Sequence, residues 1–390
     1  MRKLSVGLFN DSFPPLIDGV SQTVKNYAEQ LHKMDCDVTV VTPSYQNTTD
    51  NYPFDVVRYP SFSAGEKVGY RVGVPFDPPT LVRLRAKKFD LMHVHAPFAS
   101  SVLVNSINHR PRVPVVLTYH TRFDLDIKKR VQNPAMRKVA LSFLLDNVNC
   151  ADEVWVVTAA SEQFLRDIGY EGTCRVMENG TDFARGKADP AAVSRLREQY
   201  HLAEDTPVLL FVGRMMWYKN TRLILDALRL LHTAGMPFRA FFVGDGYDAP
   251  AMQEYAHSLG LADCVTFTGP IQNREDLRTF YSLADLFLFP STYDTCGIVV
   301  KEAAACDCPS VLLRNSCAAE GVSHGQNGYL SDEDPALFAD VIGSALSDRA
   351  ALRAAGVRAG ETLYLSWAEA VSRAHTRYEQ ILEEYQNKFG

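Results

Sequence analysis

Short β-branched and aromatic runs alternate with helix-length amphipathic segments along the whole chain. Leu4–Phe9 is a continuous apolar run that breaks into the turn-rich stretch Asn10 to Gly19. Val20, Val24, Tyr27, Ala28 and Leu31 then fall at helical spacing. Val38–Thr42, Leu91–His95, Val115–Thr118 and Val154–Thr158 are further strand-like runs, with helix-length segments between the last three. Apolar strands joined by amphipathic helices predict a mostly parallel sheet covered on both faces.

The pattern then restarts. Val208–Val212 reads as a strand, and Leu223, Ala227, Leu228 and Leu231 form a helical stripe behind it. Phe238–Val243, Val265–Phe267, Leu286–Phe289 and Ser310–Leu313 are further short strands. Arg185 to Asp205 is polar and helix-like, suited to a place beside a domain junction. Trp367, Val371, His375, Tyr378, Ile381 and Leu382 keep helical spacing in a final helix. The expected architecture is α/β: two doubly wound, Rossmann-like domains facing each other across a cleft. Residues 1–175 would form the first and 176–365 the second, with 366–390 a helix packing back on the first.

Composition agrees with this division. At roughly 100–200 residues per domain, 390 residues make two domains. A 46% hydrophobic content with 11% aromatics excludes a disordered or fibrous chain. No apolar run reaches the roughly 18–20 residues that span a bilayer. The apolar run after Met1-Arg2-Lys3 meets Asn10-Asp11 too early for a signal peptide, so a soluble cytoplasmic protein is expected. None of the eight cysteines forms Cys-x-x-Cys, and Cys306-Asp307-Cys308 lacks a second pair or a His at zinc spacing. They read as thiols in a reducing compartment; no metal site is expected.

The net charge of −6 is unevenly spread, with about +2 in residues 1–185 and −8 beyond. Residues 108–138 carry eight basic side chains, among them Arg110, Arg112, Arg122, Lys128, Lys129 and Arg130, against Asp124 and Asp126. Such a run is either a set of solvated helix faces or a surface for anionic lipid or phosphate.

Three segments could carry chemistry. Asn10–Val20 leads from a strand through a loop bearing Gly19 to a helix, which puts backbone N–H groups at a helix N-terminus where phosphate binds. It lacks the Gly-x-Gly-x-x-Gly fingerprint, and Gly19 alone could be a turn glycine. Arg214 follows the strand ending Val212-Gly213, with Lys219 five residues on; two cations there could neutralise a diphosphate. Asp294 and Glu302 stand eight apart around a helix opening near Gly297. They could take sugar hydroxyls while the amides of Gly297 and Ile298 meet phosphate, or could simply stabilise the helix start.

Other features read as decoys. Gly321-Val322-Ser323-His324-Gly325 matches the nucleophile-elbow pattern but lacks the strand before it and the helix after it. Gly244-Asp245-Gly246 reads as a tight strand-to-helix turn. His93 and His95 suggest one packed and one cleft-facing imidazole, and His120, just past a strand, is the histidine best placed for a role in the site.

Together these segments resemble the retaining GT-B glycosyltransferases of family 4. Asp18-Gly19-Val20-Ser21 resembles the family's Gly-Gly-Val-Ser loop. His95-Ala96-Pro97-Phe98 and Thr118-Tyr119-His120-Thr121 resemble its acceptor-domain motifs, and Glu178-Asn179-Gly180-Thr181-Asp182 its interdomain Pro-Asn-Gly-Val-Asp. Gly213-Arg214 with Lys219 is similar to its Gly-Arg-x-x-x-x-Lys, and Asp294 with Glu302 to its Glu-x7-Glu. The resemblance implies a nucleotide-sugar donor, with Arg214 and Lys219 stabilising the departing diphosphate and Glu302 binding the ribose hydroxyls. Asp294, with the amides of Thr295, Cys296 and Gly297, would hold the transferred sugar, and His120 would lie against it. Gly19, Val20, Gly213, Ile298, Asp245 and Asn179 complete the implied donor-binding set. No metal is implied as a cofactor, and the family lacks an obvious nucleophile, so positioning and electrostatics would carry catalysis.

Three positions depart from the family pattern. Asp294 stands for Glu, Asp18 puts a carboxylate where the loop has Gly, and Asp307 stands for Gly.

The stretches Tyr59–Phe62, Tyr70–Pro75 and Thr118–Asp124 look most like bacterial diacylglycerol glucosyltransferases. That implies transfer of glucose from UDP-glucose to a lipid at an anionic membrane, with the protein peripheral on its inner face. A soluble sugar or small alcohol as acceptor, a nucleotide-sugar epimerase, and a catalytically silent nucleotide-sugar-binding protein are the alternatives. No nucleic-acid partner is expected, and the sequence sets no oligomeric state.

Overall fold

The structure, a computed structural model, describes residues 3–16, 18–63, 71–109 and 111–389. The chain divides into two compact units, one formed by Met1–Asn179 with Trp367–Gly390 and the other by Gly180–Ser366.

Among its described residues, the first unit holds β1 (Ser5–Phe9), β2 (Asp37–Pro43), β3 (Asp55–Tyr59), β4 (Ser61–Ser63), β5 (Arg71–Gly73), β6 (Leu91–Val94), β7 (Val115–Tyr119), β8 (Glu153–Val156) and β9 (Cys174–Val176). Seven of these form an all-parallel sheet of order β3-β2-β1-β6-β7-β8-β9, while β4 and β5 pair antiparallel with each other. The helices are α1 (Gly19–Lys33), α2 (Pro78–Ala86), α3 (Ala99–Ile107), α4 (Phe123–Arg130), α5 (Pro134–Asn149), α6 (Ala159–Asp167) and, from the far end of the sequence, α14 (Trp367–Phe389).

The α1 stripe predicted from spacing buries Val24, Tyr27, Ala28 and Leu31; Val20 is only half-buried. A capping box starts this helix: Asp18 accepts from the Ser21 amide at 2.7 Å, and the Ser21 hydroxyl meets the Asp18 amide at 2.9 Å. Helix α14 packs against α1, with Trp367 edge-on to Tyr27 at 6.0 Å.

The second unit repeats the plan with β10 (Val208–Val212), β11 (Arg239–Val243), β12 (Val265–Gly269), β13 (Leu286–Phe289), β14 (Ser310–Leu313) and β15 (Tyr329–Ser331), all parallel in the order β12-β11-β10-β13-β14-β15. Its helices are α7 (Pro190–Gln199), α8 (Thr221–Thr233), α9 (Ala249–Ser258), α10 (Arg274–Leu283), α11 (Ile298–Ala305), α12 (Pro335–Ser347) and α13 (Arg349–Thr362). Leu223, Ile224, Ala227, Leu228 and Leu231 of α8 are buried against the sheet. Each such leucine or isoleucine contributes roughly 1.5–3 kcal/mol.

In both sheets the strand order reverses beside the first strand, between β1 and β6 and between β10 and β13. Loops that leave the carboxyl ends of strands at such a point form the usual ligand crevice of doubly wound sheets.

Several sequence expectations change. Strands β3, β4, β5, β9 and β15 were not predicted; they are three to five residues long, and period-2 patterning barely registers over so short a run. The run Val154–Thr158 stops as a strand at Val156, because Thr158 caps α6 through the Ser161 amide. The polar stretch Arg185–Asp205 contains helix α7, which lies within the second unit. The Gly-x-Ser-x-Gly segment follows a 3₁₀ turn, Cys317–Ala319, and precedes β15, so it is no nucleophile elbow.

Candidate functional site

The reversal point of the second sheet gathers most of the predicted residues. The loop after β10 is pinned on both sides of Arg214, because the Gly213 amide bonds to the Val243 carbonyl and the Met215 amide to that of Asp245, each at 3.0 Å. This backbone approach demands glycine. A Cβ on Gly244, whose φ is +136°, would stand 2.0 Å from the Gly213 carbonyl oxygen. Arg214 is held there with its side chain exposed. Asp245, predicted to bind donor, is exposed and accepts from its neighbour's amide, Gly246, at 2.7 Å.

Lys219 ends a 3₁₀ turn, Trp217–Lys219, and is buried. Its ammonium pairs with Oδ1 of Asp294 and lies 5.7 and 5.9 Å from the ring centroids of Tyr218 and Phe289. The structure thus joins two of the predicted residues directly. The other carboxylate oxygen of Asp294, Oδ2, is buried with no hydrogen-bond partner among the described residues.

Thr295 is buried, Cys296 is a half-buried thiol outside any disulfide, and Gly297 caps α11 at φ +59°, with half-buried Ile298 opening the helix. Being glycine, this cap offers the first-turn amides no side-chain acceptor, unlike Asp18 at α1.

Glu302 sits inside α11, 6% exposed. Its Oε1 accepts from Arg274 Nη2 at 2.6 Å and its Oε2 from the Tyr281 hydroxyl at 2.9 Å. Burial pushes this carboxyl above its usual range, against the pull of Arg274 and the two hydrogen bonds. Arg274 also forks onto Asp182 at 2.9 and 2.5 Å, and its guanidinium stacks 4.3 Å from the Phe183 ring centroid. Arg274 and Tyr281 were missed from sequence. The available signal was weak, an arginine and a tyrosine seven apart on the helix that precedes β13. Asp307, the third departure, pairs with Arg185.

In the first unit, Gly19 presents open backbone, with nothing among the described residues within 4 Å of a hypothetical Cβ. The Asp18 carboxylate is committed to capping α1 rather than standing unattached in the loop. His120 follows β7 and is buried, its Nε2 2.9 Å from Nδ1 of His95. The expected split between His93 and His95 is wrong: both are fully buried, with ring centroids 4.0 Å apart, since residues two apart on a strand share a face. His93 bridges the Tyr378 hydroxyl at 2.5 Å and the Thr118 hydroxyl at 2.7 Å. Burial holds all three imidazoles neutral, with His120 lowered to about 3. Asn179, at the end of the first unit's main segment, is buried, and its Oδ1 has no hydrogen-bond partner among the described residues.

Asp11, not singled out from sequence, accepts from the Ser100 amide and hydroxyl at 2.8 Å each while its Oδ2 is buried without a partner among the described residues. Burial raises it to about 6.

The basic run is less open than its charge count suggests. Arg110 lies outside the described residues, as does Tyr70. Arg112 bonds to Asp152 at 2.8 Å. Arg122 turns inward to the buried Asp124 at 3.1 Å and lies 3.7 Å from the Phe164 ring centroid. Lys128 reaches the same carboxylate at 3.4 Å, while Lys129 and Arg130 are exposed. On α5, Met136, Val139 and Phe143 form an exposed apolar stripe (64%, 69% and 47% exposed) at positions i, i+3 and i+7.

Among the described residues, no group of three or more His, Cys, Asp or Glu side chains could hold a metal ion. Nor is any helix long and apolar enough to cross a membrane.

Two doubly wound parallel sheets, one with cations and carboxylates at its reversal point, define the GT-B class of glycosyltransferase. Comparison with known proteins agrees. Residues 17–185 match the family described as Glycosyltransferase Family 4, and residues 193–362 that described as Glycosyl transferases group 1. The chain therefore belongs to the family 4 glycosyltransferases, and it is a transferase. It is 24% identical over 352 residues to an alpha-monoglucosyldiacylglycerol synthase of Acholeplasma laidlawii, covering 87% of each chain. It is 25% identical over 340 residues to a GDP-mannose-dependent alpha-mannosyltransferase of Corynebacterium glutamicum, covering 85% of this chain and 78% of that one. Sucrose-phosphate synthase from Thermosynechococcus elongatus shares the fold with a TM-score of 0.80 at 21% identity, over 98% of this chain and all of that one.

Proposed function

We propose that this transferase moves a hexosyl group, with retention of configuration, from a nucleotide sugar to a lipid hydroxyl, the pair being UDP-glucose and diacylglycerol. The observation that carries the donor half is Asp294: one oxygen is neutralised by Lys219 and the other is buried, unpartnered and ready to accept from a sugar hydroxyl. Arg214, Lys219 and the amides opening α11 supply positive charge for the departing diphosphate, so the transfer is proposed to need no metal. Glu302 retains about two unused lone pairs after bonding Arg274 and Tyr281, which match the two hydroxyls of a ribose. The first unit offers His120 as a neutral imidazole, suited to hydrogen bonding with a sugar hydroxyl rather than to proton transfer at neutral pH.

The lipid half is supported by the relatives named as monoglucosyldiacylglycerol synthases and by the apolar stripe of α5, preceded by Lys129 and Arg130 at the end of α4. An amphipathic surface of this kind would seat on the interface of an anionic bilayer.

The test is UDP release from UDP-glucose in the presence of anionic vesicles containing diacylglycerol, with the glycolipid product identified by mass. Turnover only with other nucleotide sugars would overturn the donor. Equal turnover with soluble sugars and no vesicles would overturn the acceptor.

A further inference from the structure

We propose that Arg274 is a positioning residue for the donor site, holding the buried Glu302 carboxylate charged and aimed so that its remaining lone pairs meet a vicinal diol of the nucleotide. The inference rests on the reading of Glu302 as a diol-binding carboxylate. It adds a residue outside the family motifs that this sequence carries.

The geometry is specific. Glu302 is almost fully buried, and a buried carboxylate with only a neutral phenol beside it would take up a proton. Arg274 supplies the countercharge at 2.6 Å. Three contacts fix the guanidinium itself: the two-point fork onto Asp182, the bond to Glu302, and the Phe183 ring against its face. A lysine could supply the charge but neither the fork nor the stacking.

The titratable groups around Glu302 are Arg274 and Tyr281 from α10, Asp182 from the segment that opens the second unit, and Cys306 at the end of its own helix. Tyr281 is raised well above its usual range and Cys306 to about 11, so both stay neutral near pH 7. Asp182, an anion, opposes ionisation of Glu302, which leaves Arg274 as the one group of the four whose charge favours it.

The experiment compares binding of UDP with that of 2′,3′-dideoxy-UDP to the full chain by calorimetry, from pH 5.5 to 8. The glutamate carboxyls are titrated in parallel by carbon-13 labelling. Wild-type protein is expected to prefer UDP by at least about tenfold, and Arg274→Gln to bind both nucleotides equally weakly. In that variant the Glu302 carboxyl should titrate at higher pH. Arg274→Lys should restore the titration while recovering only part of the preference. Asp182→Asn, at a half-exposed side chain, should weaken UDP by a few-fold, and it carries the test with Arg274→Lys should Arg274→Gln fail to fold.

A preference and a Glu302 titration both unchanged in Arg274→Gln would overturn the proposal. If wild-type protein and Glu302→Gln alike show no preference for the diol, the reading of Glu302 fails instead. The carboxyl titration would still report whether Arg274 controls its charge.

Discussion

Asp294→Asn isolates the charge of the first acidic position with little change in shape. In the native chain, Oδ1 neutralises a lysine whose side chain is only 11% exposed, and Oδ2 is a buried acceptor with nothing to accept. The amide can turn its oxygen to Lys219, which leaves NH₂ where a sugar hydroxyl needs an acceptor. The reverse orientation aims NH₂ at an ammonium. Either way one hydrogen bond to a charged group is lost, worth about 1.5–3 kcal/mol, or roughly 10–150-fold in kcat/KM for the donor. Asp294→Glu keeps the charge and adds one methylene, so it should fall by less than about tenfold. The assay is initial-rate UDP release from UDP-glucose with diacylglycerol vesicles, with thermal melts confirming that each variant is folded. An Asp294→Asn enzyme within about twofold of wild type would refute the assignment of the buried oxygen to the sugar.

Other outcomes follow from the first unit and from the glycine contacts. His93, His95 and His120 are lowered in the folded chain but accept protons near pH 6.5 once unfolded. Stability is therefore fully present above that pH, and each imidazole removes about 1.4 kcal/mol per pH unit below it. Asp11, raised to about 6, acts with the opposite sign but is one group against three, so melts recorded from pH 8 to 5 should fall steeply; a flat profile would contradict neutral burial. Tyr378→Phe strands a ring nitrogen of His93 and should cost about 1–3 kcal/mol by thermal or urea denaturation. Val139→Asp with Phe143→Asp should reduce flotation with anionic vesicles, and Lys129→Glu with Arg130→Glu should remove the salt dependence of what remains. Gly244→Ala should prevent accumulation of folded protein, because its Cβ would collide with backbone rather than with a movable side chain.

Much of this molecule was legible in its sequence, for identifiable reasons. Buried parallel strands read as uninterrupted apolar runs, so β1, β2, β6, β7, β8, β10, β11 and β13 stood out. The helical stripes of α1, α8 and α14 did the same, because one face of each meets a packed layer. Edge strands such as β9 and β15 carry no such run, being three residues long. Within the site, the residues the sequence motifs singled out lie just after the ends of two strands: Arg214 and Lys219 in the segment between β10 and α8, Asp294 in the loop after β13 and Glu302 within α11 beyond it. What was hidden depends on tertiary pairing. Arg274 meets Glu302 across 28 residues of sequence and Asp182 across 92, and nothing local marks either meeting. At Arg122 the partner is local, Asp124 two residues on, and what the charge count could not register is that this acid is fully buried and draws the arginine inward.

The sequence position of α14 has a consequence in time. His93 receives its Tyr378 partner from 285 residues further along the chain. A ribosome adding roughly 5–20 residues per second makes that histidine wait about 15–60 s. The second unit, continuous from Gly180 to Ser366, is complete before the last helix of the first has been synthesised. The half synthesised first is thus the half finished last. Until α14 emerges, the face of α1 that carries Tyr27 lacks its cover. A nascent chain stalled just short of Trp367 should hold a protease-resistant second unit tethered to a protease-sensitive first one.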